Sequence, residues 1–598
     1  MVPREEEPMA SRNPVVWCAD VITKVRPCAP LAEATPGEEA DYAKRNDLWD
    51  AASSTLRLSG AANEVLVFQL AVERRAGAIE SAALAGGGVT PKLALYVNIP
   101  MHGRDEEEPT YDALYPLKSA GVGEPPRALA RLLRVKGAKR QLYTVELYIP
   151  RGAPAGRHNL ELVLTLAKAG EVRLAVDLTV FDFELTGDFA ATPDLNAYGG
   201  AIARWWPKVD PLSDEYLKIE QAFFRMAHEH GGVFHLLPYA HSGRVEKGYV
   251  PILEGRGRTR RVKDWAPFDR HWGPYLDGSA FAGTRRGATP VPYMYLPINL
   301  NWPAYFEKYG TPGYELEFKN VVREFAVHFA EKGWTKTKFE VFFNHKARWK
   351  YYPWDMDEIR FERDNKATLH LARLADEAVE GVEGPQFINR IDSSWIFSKS
   401  ATCELGDAVN LWIVNQNFLA PFPDEAEALR KKGQEVWFYG GSNKLAAPSR
   451  LFNLQWPWMA WGRGVDGFTY WNAIGWTANV WENAGSGHDY ILYPGERFGI
   501  GGPLPSLRLK TAYRGLQDVG YLQTLTERTG SRAAADAITA EHLGCERGRE
   551  DWWQRGEYPG LSGSEIRAHN FSPRAWKEKP RTAWNAARAA LGRAIEKA

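Results

Sequence analysis

Two rhythms of apolar and polar positions divide the chain. From about residue 14 to 187 the period is two, as in EVLVFQLAVE (64–73), QLYTVELYIP (141–150), HNLELVLTLA (158–167) and EVRLAVDLTVFDFEL (171–185). Turn clusters such as RGAPAG separate these runs, so short strands with one buried face are expected, in the manner of a β-sandwich. After Gly187 short apolar runs alternate with helical stretches, the pattern of βα units. Eight strands are expected at 191–199, 233–241, 292–301, 338–346, 385–394, 408–417, 434–443 and 466–475. Between the first two, Ser213 is placed to cap a helix with Asp214 and Glu215 in its first turn. Ile219, Phe223 and Met226 form its apolar stripe, and Gly231 follows its end. Further helices are expected at 315–332, 362–379, 424–432, 449–462 and 506–526.

Eight such units point to a (β/α)₈ barrel with insertions. No Gly-rich turn leads from a strand into a helix, which argues against a dinucleotide-binding sheet. The Ala-rich, charged end, AWNAARAALGRAIEKA, reads as helix packed on the barrel. The expected organisation is multidomain: a β-sandwich over 14–187, a barrel over 188–530, and a short C-terminal helical segment over 531–598. A chain of 598 residues exceeds what one core usually supports, which agrees.

Composition narrows the function. Lys plus Arg and Asp plus Glu both total 74, so the basic excess of a nucleic-acid binder is missing. No apolar run is long enough to span a membrane. The opening MVPREEEPMASRNP has no apolar core, so no signal peptide is visible, and the compartment stays open. Four cysteines, Cys18, Cys28, Cys403 and Cys545, form neither a CxxC pair nor zinc spacing, and unpaired buried thiols are the expectation, with a Cys18–Cys28 disulfide as the alternative. HExxH, GxSxG and phosphate-loop motifs are missing as well, so neither metal nor cofactor is expected. The chain does hold 23 Trp, 25 Tyr and 26 Phe. Indole faces that are apolar with one polar edge suit stacking on sugar rings.

In a barrel, function collects at the C-terminal strand ends. Those ends offer Asn196, Tyr198, His235, Asn301, Asn344 and His345, with Lys346 beside them. Asp392, Trp395, Asn415, Trp437, Tyr439, Trp471 and Asn472 complete the ring. Amides and aromatics in this arrangement suit a neutral polyhydroxylated ligand, a glycan. The sharpest local feature follows the fourth strand, where Asp355, Asp357 and Glu358 lie amid Trp349, Tyr351, Tyr352 and Trp354. Aromatic walls would exclude water and raise a carboxyl pKa, as a general acid needs. The alternative is that Asp357 and Glu358 only open the following helix, where acids favour the dipole. Spacing alone leaves the two readings level.

Several segments break the tie by resemblance. WDMDEIRFERD (354–364), INRIDSS (388–394), NLWIVNQN (410–417), EVWFYGGSN (435–443), GVDGFTYWNAIGW (464–476), LYPGE (492–496) and PSLRLKTAYRGLQDVGYL (505–522) resemble the glycoside hydrolase family 123 catalytic domain. The resemblance implies a β-sandwich before the barrel. It also implies an exo-acting β-N-acetylgalactosaminidase that retains configuration by substrate assistance. Asp357 would then steer the acetamido N–H, and Glu358 would exchange a proton with the glycosidic oxygen. Ile359 stands where a Pro is common, and RGLQD replaces the usual RDG-type sequence. A barrel glycosidase for another sugar and a non-catalytic carbohydrate-binding protein remain as alternatives.

Overall fold

The computed structural model describes residues 14–28, 41–104, 108–117, 126–239, 245, 248–299, 302–304, 309–349, 352–359, 361–393, 405–419, 423–544 and 579–598. Ten strands come first: β1 Val16–Asp20, β2 Trp49–Asp50, β3 Thr55–Ala62, β4 Val65–Glu73, β5 Ile79–Gly86, β6 Lys92–Met101, β7 Thr110–Leu117, β8 Arg140–Tyr148, β9 Gly156–Leu166 and β10 Gly170–Glu184. They form two five-stranded sheets, ordered β1-β4-β8-β6-β7 and β2-β3-β10-β9-β5. Alternation explains their faces. In β10, Leu174, Val176, Leu178 and Val180 are buried while Glu171 and Arg173 face solvent. Each such side chain contributes about 1.5–3 kcal/mol by leaving water.

Eight parallel strands follow in one sheet: β11 Thr192–Tyr198, β12 Val233–Leu237, β15 Tyr293–Tyr295, β16 Lys338–Val341, β17 Gln386–Ser393, β18 Leu411–Asn415, β19 Glu435–Gly440 and β20 Gly467–Tyr470. A small hairpin, β13 Ile252–Glu254 with β14 Arg261–Asp264, interrupts the series. The order runs β12-β11-β20-β19-β18-β17-β16-β15, and side chains meet across the remaining seam. There the His235 ring of β12 stacks on Tyr295 of β15 at 3.9 Å. With helices between strands, this sheet is a (β/α)₈ barrel. All eight expected strands belong to it, each shorter than expected at the C-terminal end, where the backbone turns into the mouth loops.

Helix ends follow local chemistry. Ser213 Oγ accepts the Tyr216 N–H at 3.1 Å and caps Asp214–Glu229, and Ser506 Oγ accepts the Leu509 N–H at 3.0 Å and caps Leu507–Thr529. The helix Leu507–Thr529 rivets the barrel to the first sheets. Arg508 Nε lies 2.8 Å from Asp112 of β7, Lys510 Nζ lies 2.6 Å from Glu146 of β8, and Gln517 pairs with both backbone groups of Val65. Asp518 accepts the Trp458 indole N–H at 3.2 Å and also pairs with Arg588. The unusual RGLQD sequence therefore serves this junction. The C-terminal helix Arg581–Lys597 packs on it, with Trp584 edge-on to Trp458 and Arg588 reaching both Asp518 and Glu64. It thus touches the N-terminal sheets as well as the barrel side. Cys18 and Cys28 are free, and Cys403 and Cys545 lie outside the described residues.

Candidate active site

Contacts of β16 and of the residues after it show which side chains enter the barrel. Phe339 stacks on Phe329 of the helix Pro312–Lys332 at 4.1 Å, and Phe343 approaches Phe318 of the same helix, so odd positions face outward. Even positions face inward: Glu340 meets Arg390, Phe342 meets Tyr295, and Lys346 meets the acid pair. His345 falls on the odd, outer side. Its ring lies edge-on to Trp354 at 4.7 Å and to Tyr352 at 5.9 Å. Burial lowers its pKa. His345 thus packs against the aromatic residues of the loop that follows.

Hydrogen bonds shape the loop. The His345 carbonyl accepts the N–H of Met356 at 2.9 Å and of Asp357 at 3.2 Å. Asp355 accepts the Ala347 N–H at 2.7 Å, and Asp364 accepts those of Asp355 and Phe361 at 3.0 and 2.8 Å. Ile359 then runs parallel to the end of β17, its N–H 2.9 Å from the Asp392 carbonyl. The helix begins only at Glu362, with Phe361 as its N-cap and Glu362 and Asp364 in its first turn. Asp357 and Glu358 are outside that turn, which disposes of the reading in which they open the helix.

Consecutive residues of an extended chain point to opposite faces, yet these two converge. The cause is Glu358 itself, which has a φ of 62°. A non-glycine residue in this left-handed region costs about 1–2 kcal/mol. The turn brings both carboxylates onto one ammonium. Lys346 Nζ lies 2.7 Å from Glu358 Oε2 and 3.3 Å from Asp357 Oδ2. Tyr439, at the end of β19, donates its hydroxyl to Glu358 Oε1 at 2.7 Å.

Burial pushes the Asp357 carboxyl from its ordinary 3.8 up to about 7; Lys346 opposes the rise, while Asp392 and Glu358 add to it. For Lys346, burial alone would lower the pKa, but the two carboxylates outweigh it and hold the ammonium above its ordinary value. Of the aromatic residues expected around the acids, Tyr351 and the Trp349 side chain lie outside the described residues. Tyr352 and Trp354 pack with Tyr309 and His345 on the outer side. Tyr198 and Tyr239 are the rings within electrostatic reach of Asp357.

Beneath the acids the barrel interior is polar. Arg390 of β17 binds Glu340 Oε2 at 2.9 Å and Asp392 Oδ1 at 3.0 Å, its guanidinium over the Tyr295 and Phe342 rings. His235 lies between Glu340, at 3.3 Å, and Asp194, at 3.4 Å, and is 1% exposed. Asn196 accepts the Tyr295 hydroxyl at 3.0 Å and donates to the Trp471 carbonyl at 2.7 Å. Trp437 is wholly buried, edge-on to Tyr293 at 4.8 Å. Asn196, His235 and Trp437 were expected among ligand-binding residues. The structure places them at buried inward positions nearer the strands' centres than the acid pair.

The uppermost inward positions are Tyr198, Asn344, Asp392, Asn415, Tyr439 and Trp471. Asp392 is held by Arg390, and burial raises its carboxyl despite that partner. Asn415 stands in register with Tyr439 and bonds to its hydroxyl. Asn472 turns its side-chain oxygen to the Ile474 N–H at 3.2 Å, a local turn contact. Asn301 and Trp395 lie outside the described residues. Sequence reasoning did not assign the bridging of the acids to Lys346. Its place two residues after Asn344 at the end of the fourth strand was the available signal. Among the described residues no cluster of three His, Cys, Asp or Glu side chains could hold a metal, and no helix is long and apolar enough to cross a membrane.

No family model and no curated protein matches the sequence. Solved structures do. A family 123 glycoside hydrolase from Clostridium perfringens, described in connection with glycolipid glycan hydrolysis, matches with a TM-score of 0.62 and 13% identity, over 96% of this chain and 99% of that one. A Bacteroides ovatus GH5 xyloglucanase matches with a TM-score of 0.30 and 7% identity, over 78% and 98% of the two chains. A family 39 glycoside hydrolase from Bacteroides cellulosilyticus matches with a TM-score of 0.33 and 11% identity, over 77% and 81%. The two low scores carry no weight here. The first likeness shows that nearly the whole chain has the fold of a family 123 glycoside hydrolase.

Proposed function

We propose that the chain is a glycoside hydrolase that releases terminal β-linked N-acetylgalactosamine with retention of configuration. The observation that carries this is the convergence of Asp357 and Glu358 on one ammonium at the mouth of the barrel. The two carboxyl groups are neighbours in the chain and face one ammonium, so both are available to a single bound sugar. They suit a reaction in which the substrate supplies its own nucleophile. The 2-acetamido oxygen attacks the anomeric carbon and forms an oxazoline-type intermediate. Asp357 accepts the acetamido N–H as positive charge develops there, and Glu358 gives its proton to the departing oxygen. Glu358 then takes a proton from the incoming water, whose oxygen replaces the amide at the anomeric carbon. Holding the amide in line converts a difficult bimolecular step into an intramolecular one.

The upper ring supplies recognition in this reading. The half-buried Trp471 offers a face for the sugar's C–H groups. Tyr198, Asn344, Asp392 and Asn415 offer hydrogen bonds, and Asn301 and Trp395 are retained as binding candidates. We read the two N-terminal sheets as the layers of a β-sandwich over 14–187, followed by the barrel over 188–530 and the helical extension over 531–598.

Nitrophenyl β-glycosides of N-acetylgalactosamine, N-acetylglucosamine, galactose and glucose test the proposal. The galacto-configured acetamido sugar should be cleaved fastest, and Glu358→Gln should lose about 10²–10⁴-fold on an unactivated disaccharide glycoside and less on the nitrophenyl glycosides, whose phenolate departs without a proton. Wild-type rates in Glu358→Gln remove the acid assignment, and equal turnover of sugars lacking the acetamido group removes the mechanism.

A further inference from the structure

The ground-state contacts of the acid pair do not match the protonation that the reaction needs, and the mismatch points to Lys346. As the site stands, both Glu358 oxygens are engaged, Oε1 by the Tyr439 hydroxyl and Oε2 by Lys346, an arrangement that suits a carboxylate. Asp357 is the more deeply buried acid and lies 0.6 Å further from the same ammonium, at 3.3 Å against 2.7 Å. Catalysis in the proposed sense requires the reverse, with Asp357 charged and Glu358 protonated. One lysine within reach of both acids can serve either state.

We infer that Lys346 is a positioning residue that changes partner when substrate binds, leaving Glu358 to neutralise Asp357 as the single proton of the pair passes to Glu358. The exchange balances. The Asp357 carboxyl loses its proton and becomes a carboxylate, the Glu358 carboxylate gains one proton, and Lys346 stays an ammonium throughout. Substrate drives it from both sides, because the acetamido N–H favours a carboxylate at 357 and the glycosidic oxygen favours a donor at 358. This inference rests on the proposed function for its catalytic meaning, but the sharing of one cation by two acids is a property of the free protein.

Other charged groups around the pair are held on partners of their own. From β17, Arg390 is bound to Glu340 and Asp392. Asp392 opposes charge on Asp357, Tyr439 approaches from β19, and Tyr198 and Tyr239 approach from the ends of β11 and β12. Arg348 acts on Lys346 from the same loop. Of these, Lys346 is the cation in direct contact with both acids among the described residues.

Lys346→Met and Lys346→Arg test the inference in the full chain. The first readout needs no substrate: carbon-13 carboxyl signals of Asp357 and Glu358, titrated from pH 4 to 9. The second is the pH profile of kcat/KM on nitrophenyl N-acetyl-β-galactosaminide. An opposite charge at this distance lowers a carboxyl by about 1–3 units, so Lys346→Met should move the pair's titration, and both limbs of the profile, that far toward alkaline pH. Lys346→Arg should restore most of the shift. Lys346→Gln repeats the test should the Met variant not fold. Carboxyl titrations that stay in place in Lys346→Met overturn the inference, as does a loss of kcat with both limbs unmoved. A wild-type chain that cleaves no glycoside refutes the proposed function, and the carboxyl titration still decides whether Lys346 governs the pair.

Discussion

Replacing Asp357 by Asn should stabilise the fold, and by an amount that depends on pH. Burial holds the Asp357 carboxyl near 7 in the folded chain, against an ordinary 3.8. Below about pH 4 the group is protonated in both states and contributes no pH dependence. Between about 4 and 7 the unfolded chain has released the proton while the folded chain keeps it, so stability falls as pH rises. Above 7 the whole penalty is present, roughly three pH units at about 1.4 kcal/mol each, or on the order of 4 kcal/mol. Asparagine imitates the protonated acid at every pH and carries no such penalty. The gain of Asp357→Asn over wild type should therefore widen by about 3 kcal/mol between pH 5 and pH 8.5. With about 2.1 cal/mol/K of unfolding entropy per residue over roughly 340 barrel residues, that is about 4 °C in the barrel's transition. Differential scanning calorimetry of both proteins at the two pH values reads it directly. A gap of the same size at both, or a wild type more stable than the variant at pH 8.5, would falsify the burial argument. The stabilised variant should also be the inactive one, since the site holds an acid that the fold would rather keep neutral.

Two further substitutions probe the layers that support the pair. Arg390→Met strands Glu340 and Asp392 as buried carboxylates, a loss of about 3–5 kcal/mol, which lowers the transition by about 4–7 °C on the same entropy scale. A change under 1 °C in thermal melts contradicts the ion network described beneath the mouth. Tyr439→Phe removes the hydroxyl that donates to Glu358, a charge-assisted bond worth about 1.5–3 kcal/mol. It should lower kcat/KM about 10–100-fold on the nitrophenyl substrate with the melting temperature nearly kept. A variant within twofold of wild type shows that the hydroxyl does not position the acid.

Much of the barrel could be read from the sequence because its strands are buried on both faces and stand out as short apolar runs between helices. The helix Glu362–Val379 was legible to the residue at both ends, with its acids in the first turn. Other features were hidden for identifiable reasons. The helix Ala266–Leu276 carries Pro267 in its first turn and Pro274 inside, and prolines mask a helical pattern. The hairpin β13–β14 is largely exposed, so it shows no apolar alternation. At the site, treating strand ends as a ring ignored depth along the strand and parity across it. The structure adds that depth, with Asn196, His235 and Trp437 buried below the acid pair and the His345 ring against Trp354. That Asp357 and Glu358 act together was implied by the resemblance, but the backbone cause of their convergence was not legible, since it is one left-handed residue that nothing in its type announces.

The central claim is that the two carboxyl groups serve one acetamido sugar, with Asp357 on its amide. Isothermal titration of a galacto-configured thiazoline, a mimic of the oxazoline intermediate, tests this most directly. Wild type and Glu358→Gln should bind it tightly, and Asp357→Asn should lose about 100-fold or more, since a carboxylate facing a developing charge is replaced by a neutral amide. Equal affinity in wild type and Asp357→Asn, or no binding to wild type, contradicts the account.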